Sequence, residues 1–303
     1  MIPPSGEQFE IRAGQQHCVI TEVGATVRSY RAADEDVLHP YAVDAMCDGG
    51  HGAPLIPWPN RISSGRYRFD DVEHQLALTE PAKRNAIHGL LRWQPWGVAE
   101  HAADRVVMRT RLHPLTGYPF RLDVDIVYVL DEGGLTVTTS AQNSGAQACP
   151  YGSGQHPYLS AGDGTVDDCT VQLRADTRIR TDPERQIPVG TEPVDGTPFD
   201  FREPTPLGEL AVDSAFTDLR RDADGLAWVR LTRPDGVTVE LWADASYPVI
   251  QLYTADSLAG DRRRRALAAE PMTCPPNAFH SGDGVRRLEP GESTTSTWGV
   301  RLR

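Results

Sequence analysis

Four stretches of this 303-residue chain set ionisable side chains among prolines and glycines, the loop-like settings in which functional groups concentrate. In residues 267–279, LAAEPMTCPPNAF, Glu270 ends an apolar run and is fixed by the proline that follows. A carboxylate there is partly dry, and an acid so placed is costly unless it is ion-paired or put to use. In residues 152–158, GSGQHPY, His156 stands between flexible glycines and a proline that biases it towards an extended backbone. In residues 85–89, NAIHG, His88 adjoins a residue with no side chain, which leaves room for another group to approach. In residues 57–67, PWPNRISSGRY, prolines stiffen the approach to Arg61, whose planar fork of donors suits vicinal hydroxyls. Taken singly, three have a plainer account, namely an ion-paired Glu270, a satisfied structural His88 and an Arg61 paired with a carboxylate at the surface, and the His156 stretch alone is a weak signal.

Several other chemistries lose support. The chain has no phosphate-cradling Gly-x-x-x-x-Gly-Lys loop, no Gly-x-Gly-x-x-Gly turn, no His-Glu-x-x-His and no Gly-x-Ser-x-Gly, which argues against nucleotide binding, zinc peptidase chemistry and serine hydrolysis. Thirty Lys plus Arg stand against 42 Asp plus Glu, a net charge of -12, and such a surface repels nucleic acid and anionic membranes. The first thirty residues hold Glu7, Glu10 and Glu22 and no long apolar run, so neither a secretory leader nor a membrane span is expected and the cytoplasm is the expected location. Cys18, Cys47, Cys149, Cys169 and Cys274 lie far apart and are odd in number. They read as reduced thiols, Cys274 as a small buried one.

Strands must position the four stretches. Alternating apolar residues mark 9–11, 17–23, 72–78, and above all Leu122, Val124, Ile126, Tyr128 and Leu130 on one face. The Asp131-Glu132-Gly133-Gly134 and Pro234-Asp235-Gly236 stretches read as turns of antiparallel hairpins. Helical periodicity is nearly absent, and 27 Gly and 24 Pro are spread along the whole length without marking a linker. With 39% hydrophobic residues to bury, the expectation is an all-β fold of packed antiparallel sheets, one domain over residues 1–303. Residues 182–205, rich in Pro, Gly and acid, are expected to form a long surface excursion.

The four stretches, in this order, resemble the aldose 1-epimerase (galactose mutarotase) family: Asn-Arg-Ile-x-x-Gly-Arg-Tyr, Ile-His-Gly, Gln-His-Pro-Tyr-Leu and Glu-Pro-Met-Thr-x-Pro-Pro-Asn-Ala-Phe. The match runs from about residue 54 to the C-terminus and includes Gly-Tyr-Pro-Phe at 117–120, the strand at 135–143, Val-Asp-Ser-Ala-Phe at 212–216 and Leu-Glu-Pro-Gly-Glu at 288–292. The resemblance implies a large antiparallel β-sandwich with an open sugar cleft, no metal, no organic cofactor and a monosaccharide as partner, in a monomer or homodimer. It also implies Glu270 as general base, His156 as general acid, and Arg61, His88 and Asp213 as ligands of the sugar hydroxyls. Two departures bear on sugar preference: Thr79 stands where the family often has Asn, and Leu90 where a second Gly is common.

Interconversion of α and β anomers needs a proton taken from the C1 hydroxyl and another given to the ring oxygen, so one base and one acid suffice. At neutral pH the ordinary pKa values of about 4.3 for Glu and about 6.5 for His leave the carboxylate ready but the imidazolium scarce. Glu270 across the cleft is expected to favour the charged imidazole. Two rivals remain. Arg262 to Arg265, shortly before Glu270, could meet the anion of a hexose 6-phosphate. A non-catalytic carbohydrate-binding protein on the same fold would need only Arg61, His88 and Asp213.

Overall fold

The alternation legible in the sequence becomes strands with the expected faces. In Leu122–Asp131 every second residue is buried, and this strand pairs in register with Gly134–Asn143 across the Asp131–Gly134 turn. Ala227–Thr232 and Thr238–Ala243 form the second expected hairpin. The computed structural model describes residues 2–303, with 49% in strands and 4% in helix. Every ladder between its strands is antiparallel.

Two large sheets dominate, one of nine strands and one of twelve. The nine-stranded sheet is centred on Gly134–Asn143, Ser293–Leu302 and Thr238–Ala243. From the middle of the other to one edge run Tyr158–Ser160, Ala266–Met272, Val249–Tyr253, Asp213–Leu219, Ala175–Thr181 and Pro188–Pro193, in that spatial order. One core joins them, drawing Val124, Ile126, Val137, Val229 and Trp298 from the smaller sheet and Phe216, Ile250, Leu252, Leu267 and Ala269 from the larger. Each aliphatic side chain fully buried there contributes roughly 1.5–3 kcal/mol. The result is a large antiparallel β-sandwich.

Strand periodicity then decides where chemistry can sit. Successive side chains point to opposite faces, so with Leu267 and Ala269 in the core, Glu270 faces outward with Ala266, Ala268 and Met272, which belong to separate small clusters. Loops cover that outer face, and all seven residues of Ala266–Met272 are buried.

Two expected elements differ. Residues 72–78 supply only the short strand Val72–Gln75, paired with Arg66–Phe69 in a small hairpin of its own. Residues 182–205 stay largely at the surface but are not all loop: Pro188–Pro193 pairs with Ala175–Thr181, and Val194 and Phe201 anchor the segment in the core. Pro188–Pro193 is the terminal strand of its sheet, the place where a strand tolerates prolines that cannot donate to a ladder. Proline and glycine in the sequence conceal it.

Candidate active site

The four stretches are tied to one another through the backbone. Gly154 pairs with Leu55 on one side and Met272 on the other, Gly89 bridges Ile56, and Arg61–Ser63 pairs with Asn85–Ile87. Asn277 closes the circuit: its N–H donates to the Arg61 carbonyl at 2.8 Å, and its side chain accepts from the Ser63 N–H at 2.9 Å. Arg61, His88, His156, Asp213 and Glu270 all line one cleft of about 400 Å³ on the outer face of the larger sheet. A roomier depression of about 590 Å³ lies over the smaller sheet, but its Arg109–Asp125 and Arg111–Asp123 pairs satisfy each other.

At the centre His156 Nε2 lies 3.4 Å from Glu270 Oε1, and the two residues are 4% and 3% exposed. Tyr158 stacks on the His156 ring with centroids 5.0 Å apart, and His88 meets it edge-on at 5.3 Å. The glycine beside His88 does leave room for another group to approach. Gly89 has φ +69°, and a Cβ there would meet the Ile56 carbonyl oxygen at 2.1 Å; the group that approaches is the chain itself. Among the described residues, His88 Nδ1, His156 Nδ1 and Glu270 Oε2 have no hydrogen-bond partner. Buried polar atoms are nearly always partnered, so these three fit a ligand that brings hydroxyl groups.

Burial weighs against the expected charge states of the pair. Burial pushes the Glu270 carboxyl well above the usual range, with Asp213 adding to the shift and Arg61 opposing it. Burial also holds the His156 imidazole down, to about 3, helped by His51, and His88 is lowered by burial and by His156. Removal from water opposes both charged forms. Both shifts run towards the uncharged forms, neutral imidazole and carboxylic acid. The expectation of an ionised Glu270 favouring an imidazolium set a partly dry carboxylate beside an imidazole whose own desolvation it did not weigh.

Arg61 lines the cleft and is paired with a carboxylate, but it is buried and not a surface arginine. Its Nε and Nη2 donate to Glu80 Oε2 and Oε1 at 2.8 and 2.9 Å, a bidentate fork that fixes its plane. Asn85 Nδ2 also donates to Glu80 Oε2, at 3.1 Å. Asp213 accepts from Gln251 Nε2 at 2.6 Å and Gln186 Nε2 at 2.5 Å. Asn60, Glu80, Lys83, Arg92, Gln186, Gln251 and Asp256 were not singled out in the sequence, yet Gln251 braces Asp213 and the others line the cleft. Glu80 carries the same mark as Glu270, an acid directly before a proline; the glutamines carry none.

Thr79 and Leu90, the two departures, do not line the cleft. Thr79 Oγ1 accepts the Ile87 N–H at 2.9 Å, and Leu90 packs against the core. The arginine run is likewise turned to structure. Arg262 pairs with Asp48 and Arg264 with Asp167 and Asp256, Arg265 donates to the Asp163 and Gly162 carbonyls, and none of the four lines the cleft. All five cysteines are buried free thiols, and burial raises Cys274 to about 12. Among the described residues no helix is long and apolar enough to cross a membrane.

Comparison with known proteins agrees with this layout. The family model described as aldose 1-epimerase matches residues 7–301. An uncharacterized Escherichia coli protein, YihR, is 36% identical over 290 residues, covering 95% of this chain and 91% of its own. The galactose mutarotase of Rattus norvegicus is 33% identical over 231 residues, 68% of this chain and 64% of its own. Among solved structures, an aldose epimerase homologue from C. elegans superposes with a TM-score of 0.87 at 20% identity, covering 98% of both chains. The galactose 1-epimerase of Lactobacillus acidophilus does so with 0.80 at 19% identity, covering 95% of this chain and 91% of that one.

Proposed function

Since the chain belongs to the aldose 1-epimerase family, we propose that it interconverts the α and β anomers of a free aldohexose, such as galactose or glucose, with Glu270 and His156 as the proton-transfer pair. The observation that carries this reading is the buried carboxyl and imidazole 3.4 Å apart in a cleft whose other walls offer hydroxyl ligands.

The chemistry needs one proton on the pair. With a pyranose bound, the proton moves from the Glu270 carboxyl to His156, at no change in the net charge of the pair. The Glu270 carboxylate then takes the proton of the C1 hydroxyl, and the freed O–H electrons form the C1=O1 double bond. The bond between C1 and the ring oxygen breaks, and that oxygen takes the proton of the His156 imidazolium. Rotation about C1–C2 presents the other carbonyl face, and closure runs the transfers in reverse. Arg61 and His88 donate to hydroxyls, Asp213 accepts from them, and together they keep the ring within reach of both groups. A pure binding protein has no use for the pair, which favours catalysis over the binding-module reading.

Polarimetry tests this directly. Fresh α-glucose and α-galactose should reach their equilibrium rotation many times faster with the purified protein than without it. Sugar binding with no acceleration would return the protein to the binding class.

One observation favours a second reading, a sugar bearing an anionic substituent. The four-arginine run gives it no support, but Arg92 lines the cleft, rests on Trp93 with its guanidinium carbon 4.1 Å from the ring centroid, and is in no ion pair among the described residues. A higher kcat/KM for glucose 6-phosphate than for glucose would select this reading.

A further inference from the structure

We propose that Gln186, carried on the turn at residues 182–187, is a specificity-determining residue that reads the hydroxyl configuration at C4 of the sugar. The inference rests on the reading of the cleft as a pyranose site and adds a residue and a ring position to it.

Topology sets the order of the polar groups. Glu270 is on Ala266–Met272, its register partner Gln251 is on the next strand, and Asp213 is on the strand after that. Ala175–Thr181 and Pro188–Pro193 follow, and the turn between them carries Gln186. His156 lies at the opposite end, just before Tyr158–Ser160 on the other side of Glu270. Neighbouring strands are roughly 4.8 Å apart, and Asp213 is two residues along its strand from the row of Glu270, Gln251 and Ala215, so the backbones of Glu270 and Asp213 are separated by about 12 Å. A pyranose whose C1 meets Glu270 and His156 points the far side of its ring, at C4, towards Asp213 and Gln186.

The turn is built to hold Gln186 there. Asp182 accepts the N–H groups of Arg185 at 2.7 Å and Ile187 at 3.1 Å. Arg185 reaches across to the Lys83 and Arg84 carbonyls at 3.2 and 3.1 Å, and the Arg185 carbonyl accepts from Asn85 Nδ2 at 2.8 Å. This clamp joins an edge of the large sheet to the loop that bears Glu80. Gln186 itself adopts φ +54°, a left-handed conformation uncommon for a residue of its kind, and lines the cleft. Its Nε2 donates to Asp213 and its Oε1 accepts from Lys83. A carboxamide has two N–H groups and two lone pairs, so one of each remains to answer a sugar hydroxyl as donor or acceptor.

The test uses the full chain with Gln186→Asn and Gln186→Ala and measures kcat/KM for glucose, its C4 epimer galactose and its C2 epimer mannose. Asparagine tolerates the left-handed backbone but withdraws the amide from Asp213, so a folded variant is secured even if alanine disturbs the turn. The galactose-to-glucose ratio should change by about fivefold or more while the mannose-to-glucose ratio stays within about twofold. Both ratios unchanged, or an equal fall for all three sugars, would overturn the assignment and leave the epimerase reading standing. A wild-type protein that accelerates none of the sugars would overturn the epimerase reading itself, and the assignment with it.

Discussion

The His156 imidazole and the Glu270 carboxyl face each other at 3.4 Å although they come from different elements, His156 from the loop between Gly154–Gln155 and Tyr158–Ser160, Glu270 from the strand Ala266–Met272. Both are withdrawn from water, which favours their uncharged forms. An uncharged pair holds a single transferable proton, the number that the proposed anomerisation requires.

That proton count sets the pH dependence. In acid a second proton is added, and the imidazole, held at about 3, sets a low acid limb. In alkali the single proton leaves through the carboxyl ionisation that burial and Asp213 have raised. The kcat/KM profile should be a bell whose alkaline limb lies above the ordinary carboxylate range. A profile flat across both ionisations contradicts the pair.

Stability should respond to Glu270 with a defined sign. The folded carboxyl ionises above its unfolded value, so its stabilising contribution is complete below the unfolded pKa and is lost as pH rises through the folded one. Glu270→Gln keeps the shape without the ionisation. Its Tm relative to wild type should rise with pH across that window, as differential scanning calorimetry can measure; a difference independent of pH is the opposing result.

Glu80 positions Arg61 and does not itself transfer a proton. Glu80→Gln weakens the fork and removes a negative charge, so Arg61, which already opposes the upward shift of Glu270, acts on that carboxyl with less compensation. KM should rise by about tenfold, and the alkaline limb of kcat/KM should move to lower pH. Loss of thermal stability with an unmoved limb would make Glu80 merely structural.

Gly89→Ala tests whether backbone packing holds His88. The added Cβ meets the Ile56 carbonyl oxygen at 2.1 Å in a left-handed conformation, so unfolding free energy should fall by about 3 kcal/mol or more, as measured by denaturation in urea. A loss under about 1 kcal/mol would show that the Ile56–Gly89 contact yields easily.

The sequence was most legible where one rule acts alone. Alternation placed Leu122, Val124, Ile126, Tyr128 and Leu130 in the core, and the acid before Pro271 marked a dry carboxylate. Legibility failed where tertiary context chooses between meanings. Pro188 and Gly190 read as loop because nothing local says that they form the sheet's edge strand. The arginines at 262–265 read as a solvated or anion-binding run, since Asp48 and Asp167 are remote in the chain. Gln186 and Gln251 were invisible, as a neutral amide has no local mark until the sheet brings Asp213 beside it. The directions in which Glu270 and His156 shift were hidden for a related reason: they are set only when the whole cleft is assembled.

The most direct measurement compares wild type with Glu270→Gln, following mutarotation by polarimetry and sugar binding by titration calorimetry. Removing the group that takes the C1 hydroxyl proton should lower kcat by about 10²–10⁴-fold while sugar affinity stays within a few-fold of wild type. Retention of near-normal kcat by Glu270→Gln, in a variant that still binds sugar, would contradict the proton-transfer role of the His156–Glu270 pair.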